Sequence, residues 1–193
     1  MAETEPTEPT EEITETKIKD LDPRFIKQLE SAERSIDKNP GYTIDICATI
    51  LAKYPSCVDV RKIMRQAQFK KYGKGNPIAK LSGDMQGMVL SVKAPSMIKK
   101  GQALEVISQA EKLLSQCPQN APALRALASA AESLSYWGTA ASAYMAIAQF
   151  QPGNEKNLLA LAGAYVKNKQ PDEAAQVCEQ ILRRNPSNGD AQA

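Results

Sequence analysis

Along residues 24–188 apolar side chains return every three to four positions in separate blocks, and the blocks are bounded by Pro, Gly or Asn, the pattern of amphipathic helices joined by short turns. FIKQLESAERSID (25–37) and YTIDICATILAKY (42–54) predict one antiparallel pair with Pro40 in the turn. VDVRKIMRQAQFKKY (58–72) sets Val60, Ile63, Met64 and Ala67 on one face and predicts a further helix, as does GQALEVISQAEKLL (101–114). Downstream a motif recurs. CPQN, QPGN and NPSN place Pro118, Pro152 and Pro186, with Asn120, Asn154 and Asn188, at a spacing of 34 residues. The proline stops one helix, and the Asn side chain accepts from free N–H groups at the start of the next, so each motif predicts a turn between helices.

Packing positions recur in the same phase. Leu124 matches Leu158, Leu127 matches Leu161, Ala128 matches Ala162, Ala140 matches Ala174, Tyr144 matches Cys178 and Ile147 matches Ile181, with breaks at SYWG and NKQPD inside the units. The unit is a helix, a tight turn and a second, antiparallel helix. A 34-residue period with apolar fourth and seventh positions, small eighth and twentieth, an apolar or aromatic twenty-fourth and proline at the thirty-second resembles the tetratricopeptide repeat. The resemblance implies an all-α, right-handed superhelical solenoid of antiparallel helix pairs over residues 21–193, with repeats at about 24–57, 58–120, 121–154 and 155–188.

It also implies a non-enzymatic scaffold whose concave groove, lined by the first helix of each pair, binds a peptide or helix of another protein. Mapped onto this chain, the groove positions are Arg125, Ser129, Glu132, Lys156, Leu159, Gly163 and Val166. Repeats that clamp acidic chaperone tails carry Lys and Asn at set positions, where this chain has Pro122, Arg125, Ser129 and Ala160. The mixed polar and apolar set suits a partner helix or loop instead.

The second unit spans 63 residues, 29 more than the period, which predicts an insertion near 73–100 at the tip of a hairpin. The competing alignment makes GMVLSVKAPSMI a first helix, but Pro95 at its centre removes a hydrogen bond and argues against it. On the insertion, Met85, Met88, Val89, Leu90 and Lys93 form an apolar surface that either closes the core or meets a partner or lipid.

Charge changes the picture locally. The net charge is +2, yet residues 1–20 hold seven acids and two lysines, while residues 61–100 hold ten bases and one acid. The first segment predicts a disordered acidic arm. The second supports an alternative function, a peripheral tether to an anionic membrane surface or nucleic acid through 61–100, although its few aromatics disfavour nucleic acid. There is no histidine, no CxxC among Cys47, Cys57, Cys117 and Cys178, and no phosphate-binding loop, so no catalytic residue, metal site or cofactor is expected. The cysteines read as reduced, which with the absence of a leader pattern predicts a cytoplasmic protein. The chain ends at GDAQA, three residues into a further helix, which predicts either that the natural protein continues beyond Ala193 or that the C-terminal edge formed by Val177, Ile181 and Leu182 self-associates.

Overall fold

The computed structural model describes residues 15–73 and 77–192, and the helix–strand content of the described residues is helical throughout. The helices run α1 (Pro23–Ser35), α2 (Pro40–Lys53), α3 (Val58–Tyr72), α4 (Pro77–Lys99), α5 (Ala103–Leu114), α6 (Ala121–Ser133), α7 (Trp137–Phe150), α8 (Glu155–Lys167), α9 (Pro171–Leu182) and a short α10 (Gly189–Gln192).

The recurring Asn residues do what their spacing predicts. The side-chain oxygens of Asn120, Asn154 and Asn188 accept from the backbone N–H groups of Ala123, Asn157 and Ala191 at 2.9, 3.1 and 3.1 Å. The hairpin turns repeat with equal regularity. Gly101, Ser135 and Lys169 have φ of 78°, 59° and 59°, one residue per period in the left-handed region. After each, the N–H of Gln102, Tyr136 or Gln170 donates to the carbonyl of Met97, Ala131 or Tyr165 at 3.0, 2.9 and 2.9 Å, the closing bond of a Schellman turn. Thus α4–α5, α6–α7 and α8–α9 are three copies of one hairpin.

This phase overturns the predicted insertion. Residues 77–99 form one helix that packs on both α5 and α6, so α4 is the first helix of the hairpin that α5 completes. Leu90, Ala94, Val106 and Ala110 are buried one period before Leu124, Ala128, Ala140 and Tyr144. Pro95 is tolerated because it lies near the C-terminal end of α4 with its ring exposed, where the carbonyl of Ser91 that loses its donor can be hydrated. Gly83 and Gly87 serve close approach, not looseness. A Cβ on Gly83 would stand 2.3 Å from Cys117 Sγ, one on Gly87 would stand 2.1 Å from Asn120 Oδ1, and Asn120 Nδ2 donates to the Gly83 carbonyl at 2.6 Å.

Two apolar cores result. The hairpins share one, centred on Leu114, Leu124, Leu127, Ile147, Leu158 and Ile181. Helices α1–α3 enclose the other, around Leu29, Cys47, Ile50, Val60 and Met64, where burial pushes the Cys47 thiol up to about 12. No disulfide joins the four cysteines. The expected disordered arm is corrected in part: Glu15 and Thr16 are fixed by hydrogen bonds and Ile18–Asp20 form a turn of 3-10 helix, while residues 1–14 lie outside the described residues. The premise for a C-terminal sticky edge also changes, since Val177 and Ile181 are buried and Ala191 of α10 packs into the same core.

Two stability outcomes follow from the turns and the glycines. Ser135→Gly relieves a left-handed Ser and should raise stability by about 0.5–1 kcal/mol, read as an increase in the urea midpoint. Gly87→Val should lower stability by about 2 kcal/mol through overpacking against the Asn120 cap, and a melting temperature equal to the parent's would refute the close approach.

Candidate functional site

The junction between the two cores is polar. Arg61 of α3 is only 2% exposed; its Nε meets Glu111 Oε1 of α5 at 2.8 Å, one terminal nitrogen donates to Thr139 Oγ1 of α7 at 3.0 Å, and the other donates to the Pro55 carbonyl at 2.9 Å. Arg65 shares the same carboxylate, meeting Glu111 Oε2 at 3.2 Å, and also donates to Gln68 Oε1 at 2.7 Å. Burial pushes the Arg65 guanidinium below its usual value, with Glu111 opposing the change and Arg61 adding to it. A second anion completes the cluster. Glu15 accepts from the N–H groups of Gly138 and Thr139 at 2.6 and 2.8 Å, and from Thr139 Oγ1 at 2.6 Å. Two guanidiniums and two carboxylates therefore balance, and Glu15 caps the N-terminus of α7, where a negative charge suits the helix dipole.

Beside this junction lies a cleft of about 1520 Å3 between α3, α7 and the turn from α8 to α9. Phe69, Trp137, Ala141, Met145 and Tyr165 supply its apolar lining. Seven cationic side chains, Lys17, Lys19, Lys62, Arg65, Lys70, Lys167 and Lys169, line it against the acids Glu15, Asp59 and Glu173. Sequence reasoning missed the cleft because its walls come from α3 and from second helices of the hairpins, which share no sequence motif.

The groove residues read from the sequence occupy another face. Arg125 and Ser129 of α6, and Lys156, Gly163 and Val166 of α8, are exposed. Nothing lies within 4 Å of a Cβ built on Gly163. Glu132 is half-buried and accepts from Tyr144 Oη at 3.0 Å; burial and the Glu132 charge push the Tyr144 hydroxyl upward, while Ser129 and Arg125 pull it down. Leu159 is half-buried and packs against the shared core, so it is partly a core residue and not an open groove contact.

On α4, Met85, Met88, Val89 and Lys93 are exposed, but Leu90 is buried in the core, a correction to the insertion surface. The basic stretch is also less available than its charge suggests. Arg61 and Arg65 are consumed in the junction, Lys62 sits 3.5 Å from Asp59 and Lys70 pairs with Asp37. Among the described residues no helix is long and apolar enough to cross a membrane, and no cluster of His, Cys, Asp and Glu could hold a metal.

Repeated Schellman turns, Asn caps and in-phase packing define a helical-hairpin repeat protein. The family model of the tetratricopeptide repeat matches residues 137–193, and the same turn geometry continues back to α4. No curated protein matches the chain.

Arg61→Ala leaves Glu111 with Arg65 alone and removes the donors to Thr139 and the Pro55 carbonyl, and should cost about 2 kcal/mol in urea unfolding. Glu15→Ala removes the α7 cap and should cost about 1–2 kcal/mol. Because Thr139 links the two side chains, the double variant should lose less than the sum, and strict additivity would show that the linkage carries no energy.

Proposed function

We propose that the protein is a non-enzymatic interaction module that holds an acidic, amphipathic segment of a partner protein in the cleft beside α3 and α7. Tetratricopeptide repeats generally mediate contacts between proteins, which supports the class of function. The carrying observation is the division of the cleft into an apolar lining around Trp137 and Met145 and a rim that, with Arg65 and Glu15 taken up by the junction, sets six lysines against Asp59 and Glu173. Apolar burial supplies affinity to one face of a helix, and the lysines select acids on its flanks. The exposed face of α6 and α8 is a second surface for a partner helix, favoured by the open space over Gly163 and the 61% exposure of Val166.

Trp137 is the sole tryptophan and lines the cleft, so its fluorescence reports occupancy directly. The probe is a synthetic amphipathic helix with Leu on one face and Glu on the flanks, compared with a version carrying Lys for Glu. The acidic peptide should shift Trp137 emission, the basic one should not, and Lys62→Glu with Lys167→Glu should weaken binding about tenfold in low salt. Equal binding of both peptides, or binding of anionic vesicles or duplex DNA that the same substitutions abolish while the peptide is ignored, would overturn the reading in favour of a tether. Loss of peptide binding in Val166→Glu with the Trp137 signal unchanged would move the site to α6 and α8.

A further inference from the structure

The outward side of α4 carries the largest run of exposed apolar side chains among the described residues. Leu81, Met85, Met88, Val89 and Val92 are 70%, 64%, 61%, 49% and 79% exposed. Leu81, Met85, Met88 and Val92 follow steps of four, three and four, which on a helix form one narrow seam, with Val89 beside it. The opposite side, through Gly83, Gly87, Leu90 and Ala94, is the one that packs on the Asn120 turn and the core.

The exposure has a cause in the stacking. In the next repeat the residues one period after Val89 and Val92 are Ala123 and Ala126, and both are buried. There α5, the second helix of the preceding hairpin, packs on α6. Among the described residues α4 packs mainly on α5 and α6, and α3 packs on α2 and α7.

We propose that this seam is a homodimer interface in which α4 pairs antiparallel with α4 of a second copy. A seam two positions wide in seven fits another helix better than a lipid surface, which favours a broader apolar face. It also fits itself. Steps of four, three and four read the same in both directions, so a two-fold axis between Gln86 and Gly87 sets Leu81 against Val92 of the second copy and Met85 against Met88 of the second copy. Asp84 then lies nearest Ser91 of the second copy and Lys93 nearest Ser82 of the second copy, so no like charges stand directly opposed. The five apolar residues expose about 550 Å2 per copy, and about 1,100 Å2 for the pair reaches the range of weak specific interfaces before polar flanks are added. Residues 1–14 offer only Met1, Ala2 and Ile13 as apolar cover, too few to fill the seam.

Sedimentation equilibrium of the full chain across micromolar to near-millimolar concentrations tests the inference. The parent should approach twice the monomer mass. Met88→Glu with Val92→Glu, both at exposed positions, should raise the dimer dissociation constant at least tenfold while far-UV circular dichroism and melting temperature stay at the monomer's values. Met85→Cys, on the seam beside the two-fold axis, should form a covalent dimer on mild oxidation, and Lys93→Cys, placed far from its symmetry mate, should not. A parent that stays monomeric at every concentration overturns the inference. So does a dimer that the double glutamate variant leaves intact, which would place the contact on another face, or Lys93→Cys cross-linking as well as Met85→Cys, which would exclude the antiparallel register.

Discussion

Burial of the Arg61 guanidinium is the constraint on which the arrangement of this protein depends. A charge this deep is tolerated only when each guanidinium nitrogen finds an acceptor and an anion lies close. Arg61 meets both conditions by drawing on three separate parts of the chain: Glu111 from α5, Thr139 from α7 and the Pro55 carbonyl from the turn before α3. Arg65 adds a second positive charge to the one carboxylate, and Glu15 restores the balance through Thr139. Such a cluster has demanding geometry, so it specifies where α3 lies on the repeats more narrowly than apolar contact would.

That placement makes the cleft. With α3 held against α5 and α7 by the polar junction, its far side stands away from the hairpins and leaves an opening floored by Trp137, Met145 and Tyr165. Of the bases of α3 that are not used in the junction, Lys62 and Lys70 fall on the rim. One helix thus has two electrostatic roles: neutralised arginines on its inner face hold the fold, and solvated lysines on its outer face set the charge of the cleft.

Helix α4 shows why a residue's local preference can mislead. Pro95 is a helix breaker when judged alone, and Gly83 and Gly87 have poor helix propensity. In the folded chain the glycines are required by the Asn120 turn, which comes within van der Waals contact of the α4 backbone, and the proline lies near the end of the helix on an exposed face. The signal for the correct alignment was present in Leu90, Ala94, Val106, Ala110 and Gly101, each one period before its counterpart. Weighing Pro95 above those positions produced an insertion that does not exist.

The sequence by itself determined the helical hairpin, its 34-residue period, the Asn caps and the resemblance to the tetratricopeptide repeat, because these are local or periodic: caps bond to N–H groups three residues on, and packing positions recur in each unit. It also marked α1, α2, α3 and α5 to within a few residues, through their amphipathic spacing. Tertiary structure decided which side of the repeats α3 covers, that Leu159 is partly core while Val166 is open, and that Glu15 belongs to the fold and not to a free arm. Those outcomes turn on contacts between residues 50 to 124 positions apart, where neither spacing nor propensity records which charge finds which partner.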